Sequence, residues 1–568
     1  MNRTCRRLTA LGRLSQAMLS ACSVVALVGI GCSPRVPAVD VLLTNGLIVD
    51  GTGSAPYRGA VGITGEMLSF VGRDGETLPR ATRAVDVHGQ VIAPGFIDMM
   101  GSSTMPLWQD PPSRLSKIMQ GITTMVAGEG NSIAPQNAIT RASYGDEAPL
   151  ITWNNFSEYF ELLNQKKLPI NAVHNVGAAQ VRRYVIGNDD KLPTAADLAQ
   201  MEHLVDEAMA QGAVGLSTSL IYPPGAFAKT EELIALAKVA GRRGGVYFTH
   251  MRNESDGLLE SIDETLRIGR EGGLPVHIYH LKAAGKDNWA LMARALQKIE
   301  SARKDGVDIT ADIYPYIRNG IGLRYFVPPS RYAAGTQPFF DSLKDPHVRA
   351  TVKREIEATS DWENWYHHVG SDWSKVLITN VEQGDRSIVG KTVAEVAALR
   401  KQDVWETVFD LIRTTGADVA PESMDEEQKR LALRADFVSF DTDQAPLNRE
   451  TAPSAHPRAF ATFPRIFAKY VRDENVITLQ EAVRKATSLP AARLKLVDRG
   501  RLVQGLAADV VVFDLATIDD VATFEKPLQF PTGISYVFVN GEAVVADAKP
   551  IESRPGKVLR PLLAAASR

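Results

Sequence analysis

Apolar and polar positions along the chain follow two rhythms. From Val39, short apolar runs alternate with turn residues: Val41-Leu42-Leu43, a turn at Asn45-Gly46, Leu47-Ile48-Val49, then Gly59–Ile63 and Leu68–Val71. Runs of this length between turn residues predict strands. A matching block lies near the far end, where Ala508–Phe513 and Ile534–Val539 precede a turn at Asn540-Gly541. Two β-blocks at opposite ends suggest one small sandwich or barrel domain built from residues 39–90 and 490–550.

Residues 91–489 instead repeat strand then helix. Strand candidates begin near Val91, Ile122, Ile170, Val214, Val246, Val276, Ile309 and Val438. The first seven starts are spaced by roughly 30–50 residues, which suits βα units with some elaborated loops. Thr194-x-x-Asp197 reads as a capping box ahead of a helix over Leu198–Ala213, and a second helical pattern, Leu258–Arg270, follows Asn253-Glu254-Ser255-Asp256. Eight strands alternating with helices predict an α/β fold of the (β/α)8 TIM-barrel type, with functional residues at the C-terminal ends of the strands. Periodicity alone also fits a doubly wound sheet. The interval from Ile309 to Val438 is far longer than the others and holds the Trp-rich Asp361–Trp365. It predicts an inserted subdomain at about 330–430, before the last barrel strand.

Length and composition refine this picture. At 568 residues the chain exceeds one ordinary core, so a large domain plus a smaller one, or two domains, is expected. A hydrophobic fraction of 45% and a net charge of −3 describe a globular protein without the basic footprint of a nucleic-acid binder. The three cysteines are Cys5, Cys22 and Cys32, and none follows. That excludes a disulfide framework or a cysteine-rich zinc site in the folded body. Arg3, Arg6, Arg7 and Arg13 precede an apolar run from Ser23 to Gly31. A basic head before a short apolar segment reads as an export signal over residues 1–32. Cys32, between Gly31 and Ser33-Pro34-Arg35, resembles a bacterial lipoprotein processing site; plain cleavage nearby is the alternative. The expectation is an exported, periplasm-facing protein with a lipid anchor at Cys32.

Candidate chemistry sits at strand ends. The fifth strand closes Phe248-Thr249-His250, the sixth Ile278-Tyr279-His280, the eighth Asp441-Thr442-Asp443, and the second Gly128-Glu129-Gly130. Histidines from neighbouring strands, with carboxylates from others, can converge above a barrel mouth as ligands for Zn²⁺ or a similar ion. A lone strand-end histidine is more often structural; the coincidence of place and spacing favours the metal.

Several segments resemble one known family. They are Ala93–Asp98, Gly121–Thr124, Gly215–Gly225, Thr249–Glu254, His280-Leu281-Lys282, Asp312–Tyr316, Asp443, His456-Pro457-Arg458 and Phe463-Pro464-Arg465. Together they resemble the D-aminoacylase (N-acyl-D-amino-acid deacylase) branch of the amidohydrolase superfamily, over roughly residues 39–550. The resemblance implies a metal-bearing barrel, a small β-domain from both chain ends, and hydrolysis of a linear amide. One departure is large: where the superfamily carries a His-x-His pair on strand one, this chain has Met100-Gly101-Ser102. The cysteine ligand usual after strand two is also missing, and Glu129 is the ligand-capable acid there.

The resemblance thus implies one divalent ion, Zn²⁺, held by Glu129, His250 and His280, with Asp443 as general acid and base. Asp441 is the rival for that role, although its position is usually glycine in the family. Lys282, two residues beyond His280, is a candidate for the substrate carboxylate, with a structural ion pair as the alternative. Tyr314 and Arg252 are candidates for gripping the carboxylate or polarising the carbonyl; packing and a structural ion pair are their alternatives. The expected substrate is a small-molecule N-acyl amino acid. Competing readings are a cyclic-amide or small-peptide hydrolase, and a non-catalytic ligand-binding lipoprotein on the same scaffold.

Overall fold

The computed structural model describes residues 38–358, 362–452 and 454–561. The expected export signal and Cys32 lie outside the described residues. Eight parallel strands close a (β/α)8 barrel: β1 Phe96–Asp98, β2 Ile122–Ala127, β3 Asn171–His174, β4 Gly215–Ser219, β5 Val246–His250, β6 Val276–Ile278, β7 Ile309–Ile313 and β8 Val438–Phe440. Register runs Ser219 against His250, Thr249 against Ile278, Ile278 against Ala311 and Ile313 against Phe440. The seams are stitched by Met99 N–H to Phe440 O at 3.3 Å and Val214 N–H to His174 O at 2.8 Å. Strand residues are buried throughout, as expected of a parallel sheet covered by helices.

The helices follow from local chemistry. Thr194 and Asp197 form a reciprocal capping box that starts Ala195–Gln211, and Gly212, at φ +115°, ends it. Leu258–Gly272 has no side-chain cap. Instead, the side-chain Oδ1 of Asn253 accepts the N–H groups of Ser255 and Gly257 at 2.7 and 3.0 Å, folding the turn after β5.

The two terminal β-blocks join in one nine-stranded sheet around an apolar cluster that includes Leu43, Val61, Ile92, Val510 and Phe538. One strand expected in the barrel belongs here. Val91–Pro94 pairs with Val510–Phe513 and Val39–Ile48, so the barrel begins at Phe96 rather than Val91. Gly95 makes the crossing between sheets: its N–H reaches Asp509 O at 2.9 Å, and a Cβ there would stand 2.2 Å from the Thr123 side chain. The insertion before β8 starts earlier than expected. A small antiparallel sheet of Ile321–Gly322, Val376–Asn380 and Asp418–Pro421 carries its own core, including Trp365, Trp373 and Trp405. Ile221, from the loop after β4, belongs to that core and ties the insertion to the barrel mouth.

A buried ion pair fixes β1 to the loop after β8. Lys117 Nζ lies 2.8 Å from Asp98 Oδ2 and donates to Thr442 Oγ1 and Gln444 O, each at 2.7 Å. Both side chains are fully buried. Lys117→Met should cost roughly 3–5 kcal/mol, because Asp98 would keep a buried charge without its partner. Urea unfolding measures this loss, and adding Asp98→Asn should restore part of it. Among the described residues no helix is long and apolar enough to cross a membrane.

Candidate metal centre

Glu129 leaves the end of β2 between two glycines in left-handed conformation, Gly128 at φ +97° and Gly130 at φ +62°. Added Cβ atoms would stand 2.8 Å from Asn175 O and 2.5 Å from Ser219 Cβ respectively, so only glycine lets the loop pass. The carboxylate turns over the barrel mouth. Its Oε1 stands 2.8 Å from His250 Nδ1 and 3.4 Å from His280 Nε2. His250 closes β5; His280 follows β6 at φ +35°, with its N–H held by the Asp312 carboxylate. The two imidazoles stand 4.5 Å apart at 80° to each other. One donor atom from each of the three residues falls within a 4.8 Å span.

Their outer nitrogens face a second carboxylate. Glu254, fully buried on the turn folded by Asn253, lies 3.1 Å from His280 Nδ1 and 3.4 Å from His250 Nε2. Lys282 Nζ bonds Glu254 Oε2 at 2.6 Å, and the Glu254 N–H donates to Glu363 from the insertion at 3.2 Å. Burial works against the Glu254 charge, but Lys282, His250 and His280 hold its pKa below the usual carboxylate range. Burial and the Glu254 charge push Glu363 well above that range. Two imidazoles and a carboxylate converging from within, each imidazole facing a carboxylate from behind, suit a divalent ion of the zinc type.

The neighbours of His280 draw it towards its protonated form. Burial and Lys282 oppose that charge, yet Glu254, Asp443 and the Glu129 bond raise its pKa to about 10. Metal uptake must displace this proton, so below that pKa affinity should rise with pH, by about tenfold per unit for one proton. Chelator competition at several values between about pH 6.5 and 8.5 measures the slope. A flat response would contradict the donor set.

A cavity of about 430 Å³ opens above the three ligands. Asp443, in left-handed conformation at φ +44°, lines it and bonds Arg458 Nη1 at 2.5 Å. Asp441 is fully buried beneath and does not line the cavity. Burial, with the charges of Asp312 and Asp443, raises its pKa well above the usual range. Tyr314 lines the cavity with the Arg458 guanidinium 4.9 Å from its ring; burial keeps its phenol un-ionised. Lys282 lines the cavity too, already paired with Glu254.

Arg252 is not brought to this cavity. Its guanidinium pairs with Glu264, at 2.9 and 3.0 Å, and donates to Ala228 O at 3.0 Å. β5 ends at His250, so strand alternation no longer sets where residue 252 points. Position 100 carries no ligand either: Met100 packs in the apolar cluster of Ile97, Val126 and Phe248. Sequence reasoning gave no role to Glu254 or Arg458, although both stand in the recognised segments, nor to Tyr222, whose ring lies 5.4 Å from His250. Glu363, in the Trp-rich stretch, carried no separate signal.

A model of the amidohydrolase family matches residues 83–545. The chain belongs to the amidohydrolase family. It is 34% identical over 530 residues to the N-acyl-D-glutamate deacylase of Alcaligenes xylosoxydans xylosoxydans, covering 92% of this chain and 96% of that protein. A D-aminoacylase structure concerned with the role of its binuclear metal centre, with one-metal activation and second-metal attenuation, superposes with TM-score 0.76 at 32% identity, covering 92% of this chain and 100% of the other. The N-acyl-D-glutamate deacylase of Bordetella bronchiseptica, in complex with zinc and a phosphonate mimic of the tetrahedral intermediate, gives TM-score 0.76 at 30% identity and the same coverages. Within the family this amidohydrolase falls in the D-aminoacylase branch, whose members act on linear amide bonds.

Proposed function

We propose that this amidohydrolase removes the acyl group from an N-acyl-D-amino acid with a single zinc ion held by Glu129, His250 and His280. The observation that carries the reading is the convergence of these three ligands and Asp443 on one cavity, while Met100 and Ser102 replace the strand-one pair. A bound zinc ion supplies acidification of water and polarisation of the amide carbonyl. Asp443 takes a proton from the attacking water as its oxygen bonds the carbonyl carbon. It returns the proton to the nitrogen as the C–N bond breaks, giving a carboxylate and a free amine. Arg458 holds Asp443 in place, and the neutral Tyr314 phenol is a donor for the substrate. The one-metal activation described for the related D-aminoacylase agrees with a single-ion site.

The cavity also bears on the amino acid. Its far wall comes from the insertion and presents Asp418, whose Oδ2 accepts the Asn380 amide at 3.2 Å. Among the described residues lining it, the cations are Lys282, on the loop after β6, and Arg458, at the start of the helix Arg458–Arg465 beyond β8. That arrangement suits a neutral or basic side chain better than the glutamate of the related deacylases. Zinc analysis followed by a panel of N-acetyl-D- and N-acetyl-L-amino acids with acidic, neutral and basic side chains tests the reading. One zinc per chain with D-selective turnover supports it; a chain that binds no zinc and cleaves nothing overturns it.

The exported, lipid-anchored placement is part of the same proposal and rests on the sequence around Cys32. Cys32→Ala should release the protein from the membrane fraction while its fold persists. Fractionation with mass spectrometry of the mature N-terminus checks this, and an unmodified Cys32 would sink it.

A further inference from the structure

Among the described residues, the carboxylates that line the catalytic cavity are Glu129, Glu254, Asp418 and Asp443. Glu129 stands against His250 and His280, Glu254 pairs with Lys282, and Asp443 pairs with Arg458. Asp418 makes no ion pair among the described residues. Its Oδ2 accepts the Asn380 amide at 3.2 Å, while Oδ1, which is not shut off from solvent, takes no hydrogen bond. The residue is partly exposed and lines the cavity, so this free oxygen is within reach of what the cavity holds.

The sheet of the insertion sets the direction of this side chain. Asp418 opens the strand Asp418–Pro421 and stands opposite Gly322 on one side and Asn380 on the other. Burial raises its pKa, the Asn380 bond lowers it, and the charges of Glu382 and Arg324 act in opposite senses. The Arg324 guanidinium is engaged with Tyr325, donating to its hydroxyl at 3.2 Å and lying 4.9 Å from its ring centre. A carboxylate held in a cavity wall without a counter-charge is unfavourable, and a cation placed beside it removes that penalty.

We propose that Asp418 is a specificity-determining residue that takes the side-chain cation of the substrate, so that the enzyme acts on N-acyl-D-amino acids of the lysine, ornithine or arginine type. The inference rests on the deacylase reading above and narrows its neutral or basic range to the basic class. The metal ligands and Asp443 hold the scissile amide at the barrel side of the cavity, whereas Asp418 stands on the wall that the insertion supplies. Ile321 and Trp365, on that same wall, give apolar cover for a methylene stem. A neutral side chain would leave the free oxygen to water, and an acidic one would meet a like charge.

The test uses the zinc-loaded full chain and three substrates. Nα-acetyl-D-lysine is compared with N-acetyl-D-norleucine, which keeps the stem without the ammonium, and with N-acetyl-D-glutamate. The expected kcat/KM for the lysine substrate is at least about ten-fold above norleucine, the worth of one charge-assisted hydrogen bond, with glutamate below both. The gap should sit in KM more than in kcat, because the ammonium contact is the same before and during reaction. Asp418→Asn should cut the lysine-to-norleucine ratio by at least about five-fold, and Asp418→Lys should move the preference towards glutamate. Zinc content and thermal melting are measured for each variant. A purely structural Asp418 would lower all three substrates together, and unmoved ratios in both variants would overturn the inference. Equal or better turnover of norleucine by the unmodified chain overturns it too, while leaving the parent function standing. No hydrolysis of any N-acetyl-D-amino acid overturns the parent reading, and this one with it.

Discussion

His250→Ala and His280→Ala should each lower zinc affinity by more than about 100-fold, beyond the 10–100-fold typical of losing a residue that merely supports a ligand. The three donors sit within a 4.8 Å span, and Glu254 stands behind both imidazoles. His280 is pinned twice, by its N–H to Asp312 and by Nδ1 facing Glu254 at 3.1 Å. Removing either imidazole leaves two protein ligands, too few for an ordinary zinc site. Glu254→Gln supplies the comparison. It keeps both histidines but weakens their orienting partner and uncouples Lys282, so its loss should fall inside the 10–100-fold range. Elemental analysis after dialysis, with thermal melting to confirm the fold, separates the cases. Full zinc occupancy in either histidine variant would show that the donor set is wrong.

The parts of this centre differ in how far they could be read from sequence. His250 and His280 were legible because each stands at or just past the end of an apolar strand, and strands β5 and β6 are neighbours. Glu129 needed the recognised family to mark the strand-two position, since nothing in the periodicity separates it from a loop acid. Glu254 was hidden for a physical reason: the Asn253 side chain folds the turn after β5 and carries the next residue back beneath the histidines. At Arg252 the structural alternative holds: the strand stops at His250, and two residues on the guanidinium settles on Glu264. Glu363 comes from the insertion, where contacts span more than a hundred residues of sequence. In the fold, eight barrel starts were visible, yet Val91–Pro94 went to the terminal sheet because Gly95 lets the backbone pass from one sheet to the other. A run of four apolar residues carries no mark of which sheet it joins.

Asp443→Asn should fold, keep its zinc and lose turnover on the order of 10²–10⁴-fold, the usual contribution of a positioned acid–base group. The substitution preserves shape and leaves an oxygen to accept from Arg458, so the loop after β8 has no reason to move. Asp443 is also outside the ligand trio, which keeps metal content apart from proton transfer. An amide cannot take the proton of the attacking water, nor return one to the departing nitrogen, and the loss should therefore appear in kcat more than in KM. Asp441→Asn is the decisive partner experiment. Its carboxyl lies under the barrel mouth, out of the cavity, and burial together with the Asp312 and Asp443 charges raises its pKa well above the usual range. An asparagine there keeps the shape of a group that does not reach the substrate, so turnover should stay near normal. Lys117 anchors Thr442 between the two acids through a 2.7 Å bond, which keeps one carboxyl facing inward and the other facing substrate. Collapse in Asp441→Asn, with near-normal rates in Asp443→Asn, would reverse these roles and place the proton relay inside the barrel.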